Sequence, residues 1–234
     1  KVLEKIAKKL TDDIWVVAPS QEQSGTAHSV TLHRPLRPKK IADKKFSVDG
    51  TPTDCVLMAV KELITGRKPD LVLSGINAGA NLADDITYSG TVAAAMEATS
   101  LEIPAIALSQ YNTIGYPIKW ETALAHAPKV IKELIKIGWP KNVFINVNFP
   151  DILAEEVKGI CVAIQGLRPD FKSLIKSVDP RGLPYYCVGP IPNLTHMDDA
   201  TDLCAIYQKK ISITPLHLDL THMKTFEKFS SLFN

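Results

Sequence analysis

The sequence predicts an α/β fold: a mostly parallel sheet with helices on both faces, followed by a C-terminal β-hairpin arm. Two observations carry this. Short apolar runs alternate with helical patterns up to Pro150, the signature of a sheet covered on both sides. Beyond Pro150 the pattern breaks into Pro- and Gly-rich stretches suited to extended hairpins. The expected division is therefore 1–150 as the α/β core and 151–234 as an extended β-hairpin dimerisation region with a helical tail.

Leu3, Ile6, Ala7 and Leu10 fall at helical spacing among Lys1, Lys5, Lys8 and Lys9. Ile14 to Ala18 reads as a short buried strand closed by Pro19. A helix feeding a strand is the second half of a βαβ unit, so a first strand is expected upstream of Lys1. A polar loop from Ser20 to Ser29 follows, then an exposed Pro- and Lys-rich excursion, Arg34 to Lys45, with short β pieces. Asp49 to Asp54 combines a turn, a Thr cap and a Pro at a first helical position, opening a helix over Cys55–Ile64 that ends at Gly66.

Leu71-Val72-Leu73 is a strand running into Ser74-Gly75-Ile76-Asn77, with a second polar loop to Tyr88. Ser89-Gly90-Thr91 opens an Ala-rich helix over Val92–Thr99. Ala105–Leu108 is a buried strand, Glu121–Ile137 a helix, and Val143–Val147 a strand. In the second part, Gly159–Ile164, Tyr185–Val188 and Ile211–Thr214 read as strands before the helical tail.

Composition narrows the functional class. The chain has 234 residues, 45% apolar and 22% charged, which fits a globular domain. A net charge of +2 argues against a dedicated nucleic-acid or membrane-surface binder. The longest apolar run, Cys55 to Val60, is far short of the roughly 20 residues of a membrane span. Cys55, Cys161, Cys187 and Cys204 form no C-x-x-C pair and read as buried free thiols, which points to the cytoplasm. The chain carries no G-x-G-x-x-G, P-loop, G-x-S-x-G or H-E-x-x-H motif.

Right-handed crossovers bring the strand-to-helix loops to one sheet edge. Three of these are rich in hydroxyl, amide and glycine: Ser24 to Ser29, Ser74 to Asn81, and Ser89-Gly90-Thr91 at a helix start. A helix N-terminus with free N–H groups, a glycine and a hydroxyl makes a phosphate seat, although Ser and Thr there also serve as plain caps. His28 reads as an uncoupled hydrogen-bonding residue. Of three Asp-Asp pairs, Asp84-Asp85 lies nearest these loops and is a metal candidate by composition, against a loop-solvating or turn-forming role.

The run Ser74-Gly75-Ile76-Asn77-Ala78-Gly79-Ala80-Asn81-Leu82, with Tyr88-Ser89-Gly90-Thr91-Val92-Ala93-Ala94-Ala95-Met96-Glu97, resembles the signature of the SurE family, the stationary-phase survival nucleotidases. Val17-Ala18-Pro19 before Ser24-Gly25, Gly50 to Val56, Asn146-Val147-Asn148 and Ser212 to Leu216 match it too, in order along nearly the whole chain. The resemblance implies a Rossmann-like core with a β-hairpin arm exchanged between subunits of a dimer or tetramer. It implies a phosphatase of nucleoside 5′- and 3′-monophosphates using one divalent metal per subunit, Mg²⁺ or Mn²⁺. It assigns Ser24 and Asn77 to the metal, and Gly25, Asn81, Ser89, Gly90 and Thr91 to the phosphate or substrate. The family's metal-binding aspartate pair has no counterpart in this chain and is expected upstream of Lys1, so no catalytic residue is assigned within it; Asp84-Asp85 lies between the metal and phosphate elements. Ser24 and Asn77 alone are two neutral donors, too weak to hold such a cation. The alternatives are a non-catalytic nucleotide-binding or assembly protein, and a phosphatase of short polyphosphate or another small phosphate ester. Neither nucleic acid nor membrane is an expected partner.

Overall fold

The computed structural model describes residues 1–168, 174–189 and 198–233. Two sheets carry the architecture. The larger has five strands in the order β4 (Val72–Ala78), β5 (Ala105–Gln110), β6 (Val143–Phe149), β10 (Ile211–His217) and β7 (Ile160–Val162). Pairing is parallel from β4 through β6 and from β10 to β7, and antiparallel only between β6 and β10. Strands from both sides of residue 150 therefore share this sheet. The smaller sheet is β1 (Val16–Pro19), parallel to β3 (Lys45–Val48), with β2 (Pro38–Ala42) antiparallel on its outside.

The helices begin where the local chemistry dictates. Thr51 Oγ1 accepts the Asp54 N–H at 3.1 Å and Asp54 Oδ2 accepts the Thr51 N–H at 2.8 Å, a reciprocal cap that starts α2 (Pro52–Met58) with Pro52 in its first turn. The helix thus begins ahead of the expected Cys55 and passes into a π-helical turn over Ala59–Leu63. Ser89 caps α3 (Gly90–Ser100) by accepting the Val92 N–H at 3.1 Å. α1 (Val2–Ala7) and α4 (Trp120–Ile137) follow the expected stripes.

The period-2 alternation of strands sorts side chains onto two faces. On one, Ile106, Leu108, Ile145, Val147, Phe149, Ile211 and Ile213 pack against Ile6 of α1 and Ala123, Ala127 and Ile131 of α4. On the other, Ala105, Ala107 and Phe144 meet Val92, Ala95 and Ala98 of α3. That second face turns polar along the sheet, where Ser109, Asn146, Asn148, Ser212 and Thr214 are all buried.

Three expectations change. β1 is half-buried, because among the described residues only one of its edges is paired. The loop before Tyr88 contains a 3₁₀ helix, Ala83–Thr87. The Pro- and Gly-rich region holds a strand the pattern does not announce, β8 (Leu174–Val178), paired among the described residues only with β9 (Pro184–Val188), and the short helix α5 (Asp202–Tyr207) precedes β10. The chain closes with α6 (Met223–Phe233). All four cysteines are free, but only Cys55 and Cys204 are buried; Cys187 is exposed on the hairpin. Among the described residues no helix is long and apolar enough to cross a membrane.

Candidate functional site

The C-terminal ends of β1 and β4 deliver the two loops on which the site depends. After β1, Gly25 adopts φ 75° and Thr26 Oγ1 donates to the Gln23 carbonyl at 2.9 Å, folding a tight turn. This turn lies against the start of α3: the Ala27 N–H donates to the Tyr88 carbonyl at 3.1 Å. A Cβ on Gly90 would stand 2.8 Å from Pro52, 3.2 Å from Thr26 Oγ1 and 3.4 Å from the Gln23 carbonyl. Glycine at 90 is what lets the first loop, α2 and the α3 N-terminus close on one another. The Ser89 hydroxyl accepts from Val92, and its own proton is left to donate. The amides of Gly90 and Thr91 stand at the open helix end, where the helix offers no carbonyl.

The second half of β4 stays paired with β5 across an irregularity in register between Ser74 and Asn77. Gly75 has φ 121°, and a Cβ there would collide with the Leu108 carbonyl, so no other residue fits. Asn77 is the register partner of Ser109 on β5, and its Nδ2 donates to the Gly79 carbonyl at 3.0 Å. Asn81 Nδ2 donates to the same Ser109, at Oγ, 2.7 Å away. Asn77 and Asn81 are thus gathered around one serine. Asn81 is 4% exposed, and one of its two amide protons is engaged by Ser109.

The metal candidates fit a cation only in part. Ser24 Oγ donates to Glu22 Oε1 at 2.8 Å, which leaves the Ser24 lone pairs outward, and Asn77 donates through nitrogen, so its Oδ1 is the group suited to a cation. These are two neutral oxygens. Among the described residues no group of three or more His, Cys, Asp or Glu side chains could hold a metal ion. The donors present do not by themselves make a Mg²⁺ or Mn²⁺ site.

Asp84-Asp85 forms a 3₁₀ turn, in keeping with the turn-forming reading and with its place between the metal and phosphate elements, and both carboxylates are taken by Arg168: Asp84 Oδ2 accepts the Arg168 N–H at 3.1 Å, and Asp85 Oδ2 takes Arg168 Nη2 at 3.1 Å, with both of the latter side chains 8% exposed. Burial pushes the Asp85 carboxyl up from its ordinary value, and the Arg168 guanidinium pulls against it. His28 is not uncoupled; its Nε2 lies 2.9 Å from Glu97 Oε2 on α3, tying the first loop to that helix.

Sequence reasoning missed the residues that support these loops from a distance. Asp54 accepts from Thr31 N at 3.1 Å and Thr31 Oγ1 at 2.6 Å, fastening the end of the first loop to α2. Burial would raise the Asp54 carboxyl, but the hydrogen bonds from Thr31 and Thr51 outweigh it and the carboxyl lies below its ordinary value. Asp202, fully buried, accepts the N–H groups of Ala83 at 2.8 Å, Gly166 at 2.9 Å and Leu203 at 2.8 Å. Its carboxyl is raised by burial, against those three donors. The one signal that could have located α5 is the Thr-Asp pair at 201–202, a helix-start pattern.

The family model described as Survival protein SurE matches residues 1–170. The chain is 54% identical over 232 residues to 5′-nucleotidase SurE of Parvibaculum lavamentivorans, covering 96% of this chain and 82% of that protein. It is 50% identical over 233 residues to 5′-nucleotidase SurE of Paramagnetospirillum magneticum, covering 100% of this chain and 90% of that protein. Among solved structures, the SurE protein of Aquifex aeolicus superposes with a TM-score of 0.85 at 38% identity, covering 99% of this chain and 94% of that one.

Proposed function

This chain belongs to the SurE family, and from that premise we propose that it is a phosphatase releasing phosphate from nucleoside 5′-monophosphates, and from 3′-monophosphates as well, with one Mg²⁺ or Mn²⁺ per subunit. The observation that carries the reading is the closure of the loop at 23–27 onto the open N-terminus of α3. An anion seated there meets the amides of Gly90 and Thr91, the hydroxyls of Ser89 and Thr91, the backbone at Gly25 and the second amide proton of Asn81. A phosphate monoester is the dianion that such a donor-only seat recognises best.

Metal dependence requires carboxylates beyond Ser24 and Asn77. We assign them to the metal-binding aspartate pair that the family resemblance implies. Support comes from β1 and β4, each of which pairs on one edge only among the described residues; Asn77 lies near the end of β4 and Ser24 in the loop that follows β1. When bound, the cation would neutralise charge on the phosphoryl group being transferred. The residues of this chain orient the ester.

The hairpin β8–β9 and helix α6 supply the subunit contacts of the proposed dimer or tetramer. Leu174, Tyr186 and Val188 are 68%, 59% and 70% exposed, and Phe226 and Phe229 of α6 are each 54% exposed, far more apolar surface than an arm facing only water would carry. Removing residues 174–188 is expected to yield a monomer by light scattering. Four unpaired thiols, one of them exposed, suit the reducing cytoplasm.

The decisive experiment is a substrate panel on the complete polypeptide: 5′- and 3′-nucleoside monophosphates, short polyphosphate and a simple aryl phosphate, each with Mn²⁺, Mg²⁺ or chelator. Release from the nucleotides that chelator abolishes is the expected result. Nucleotide binding with no release from any substrate identifies a non-catalytic binder and overturns the reading, as does a preference for polyphosphate over every nucleotide.

A further inference from the structure

Asn146 and Asn148 occupy the middle of the sheet, where an apolar side chain is the ordinary choice, and both are fully buried. On the opposite face of the same strand Ile145, Val147 and Phe149 are apolar without exception. What the asparagines do is hold one residue. Asn148 Oδ1 accepts the Asn81 N–H at 2.8 Å, while Asn148 Nδ2 and Asn146 Nδ2 donate to the Asn81 carbonyl at 3.0 and 2.8 Å. Both backbone groups of Asn81 are thus satisfied by side chains of β6, in place of any strand or helix partner.

The arrangement carries a burial cost. Asn146 Oδ1, Ser212 Oγ and Thr214 Oγ1, neighbours on β6 and β10, are buried without a hydrogen-bond partner. Unpaired buried polar atoms destabilise a core, so this seam is not what packing alone would select. It lies beneath the segment that leads from Asn77 to Ser89. Two residues beyond Asn81, Ala83 is held at φ 51° by Asp202, which takes its N–H.

We propose that Asn148, assisted by Asn146, is a positioning residue that fixes the backbone of Asn81 so that its side-chain amide presents one proton to Ser109 and the other to the phosphate. Asn148 acts in this way only if Asn81 contacts phosphate as read above. With both Asn81 backbone groups clamped and one amide proton held by Ser109, the direction of the remaining N–H is set before the anion arrives, and no ordering is left to be done on binding.

The test measures equilibrium binding of inorganic phosphate by calorimetry, together with KM, kcat and the Mn²⁺ activation constant, on the complete polypeptide and its Asn148→Ser, Asn148→Asp, Ser109→Ala and Asn81→Ala variants. Asn148→Ser is expected to weaken phosphate binding and raise KM about tenfold, the worth of one misdirected hydrogen bond to a charged group, with the Mn²⁺ activation constant unchanged. Asn148→Asp keeps the acceptor for the Asn81 N–H and should recover part of the loss. Ser109→Ala, a smaller change less prone to misfold, should weaken phosphate binding a few-fold. Lower thermal stability in Asn148→Ser and Ser109→Ala with phosphate binding and KM intact would overturn the proposal and leave Asn148 a structural residue. If Asn81→Ala binds phosphate as the parent does, the assignment of Asn81 falls and the positioning role falls with it; if Asn81→Ala binds weakly while the Asn148 and Ser109 variants do not, only the positioning role falls.

Discussion

β1 and β4 open on apolar runs as β5 and β6 do, yet the two pairs of strands live in different surroundings. Every residue of β5 is buried and all but the first of β6 are, because each strand is hydrogen-bonded on both edges and covered on both faces. β1 and β4 are only half-buried, and among the described residues each pairs along one edge. The difference shows that burial here follows from neighbours more than from hydrophobicity. It also separates two jobs. The candidate metal donors, Ser24 and Asn77, leave from the open strands, whereas the residues that brace the phosphate segment, Ser109, Asn146 and Asn148, belong to the closed ones.

The largest expected effect comes from closing the open pair. Residues 1–234 alone should bind Mn²⁺ weakly and release little phosphate. Extending them upstream with a strand that carries two adjacent aspartates should raise metal-dependent turnover on the order of 10²–10³-fold, the scale on which a charge-stabilising group matters. Thermal stability should rise with it where the added strand pairs with the open edges of β1 and β4. Full-rate, metal-dependent release from residues 1–234 would show that the open edges have nothing to do with the site.

Next in size are the donors at the ends of the open strands. In the extended polypeptide, Asn77→Ala or Ser24→Ala should raise the Mn²⁺ concentration needed for activation about a hundredfold, since even outer-shell partners of a metal cost ten- to a hundredfold. Phosphate binding without metal should change little. Equal losses in metal activation from Asn77→Ala and Asn148→Ser would erase the division of labour between the open and closed strands.

A third effect is a matter of pH. Asp54 braces the open side and Asp202 the segment after Asn81, and their carboxyls are displaced in opposite directions. For Asp54 the folded state holds its proton less tightly than the unfolded chain. Its stabilisation is present above the ordinary carboxylate value of about 4 and is lost as pH falls through its depressed one. For Asp202 the folded state holds the proton more tightly, so stability declines as pH climbs from that ordinary value through the raised one. Denaturant midpoints across acid and neutral pH should therefore show a rising limb that Asp54→Asn makes shallower and a falling limb, shared with Asp85, that Asp202→Asn makes shallower. At neutral pH Asp54→Ala should cost about 2–3 kcal/mol by leaving Thr31 and Thr51 without their acceptor. Parallel pH curves for the parent and both Asn variants would count against this assignment.

How far such features were legible in the sequence depends on the range of the interactions behind them. The strands and helices of the core read correctly because their patterns are local: Ala105–Leu108 is apolar throughout, and Ser89 caps its helix three residues on. The loops at Ser24, Asn77 and Ser89 were legible for the same reason, since small hydroxyl and amide residues next to glycine announce themselves. β8 was not, because its residues are exposed on both faces and lie in a Pro- and Gly-rich stretch, so no burial pattern marks it. Asp202 and Asn148 escaped because their partners lie 119 and 67 residues away, and nothing local in an Asp or an Asn says which distant N–H it will accept. The turn at Asp84-Asp85 was legible, but its neutralising partner was not, for the same cause: Arg168 is 83 residues downstream of Asp85.

The smallest expected effect concerns His28, which bridges the first loop to α3 through Glu97. The imidazole side is 34% exposed and the carboxylate 13%, so solvent screens the contact and its worth is that of a partly exposed pair, about 1 kcal/mol or less. The same loop is held to α3 and α2 by three further contacts: Ala27 N to the Tyr88 carbonyl, Thr51 Oγ1 to the Ser29 carbonyl, and Thr31 to Asp54. His28→Ala should therefore leave Ser24 in place, shifting the Mn²⁺ activation constant and KM by less than about threefold and the unfolding free energy by no more than about 1 kcal/mol. Glu97→Gln should do the same, and the double variant should match either single one, because both remove one contact. A loss in metal activation as large as that of Ser24→Ala would mean that this one pair, and not the other three contacts, holds the first loop in place.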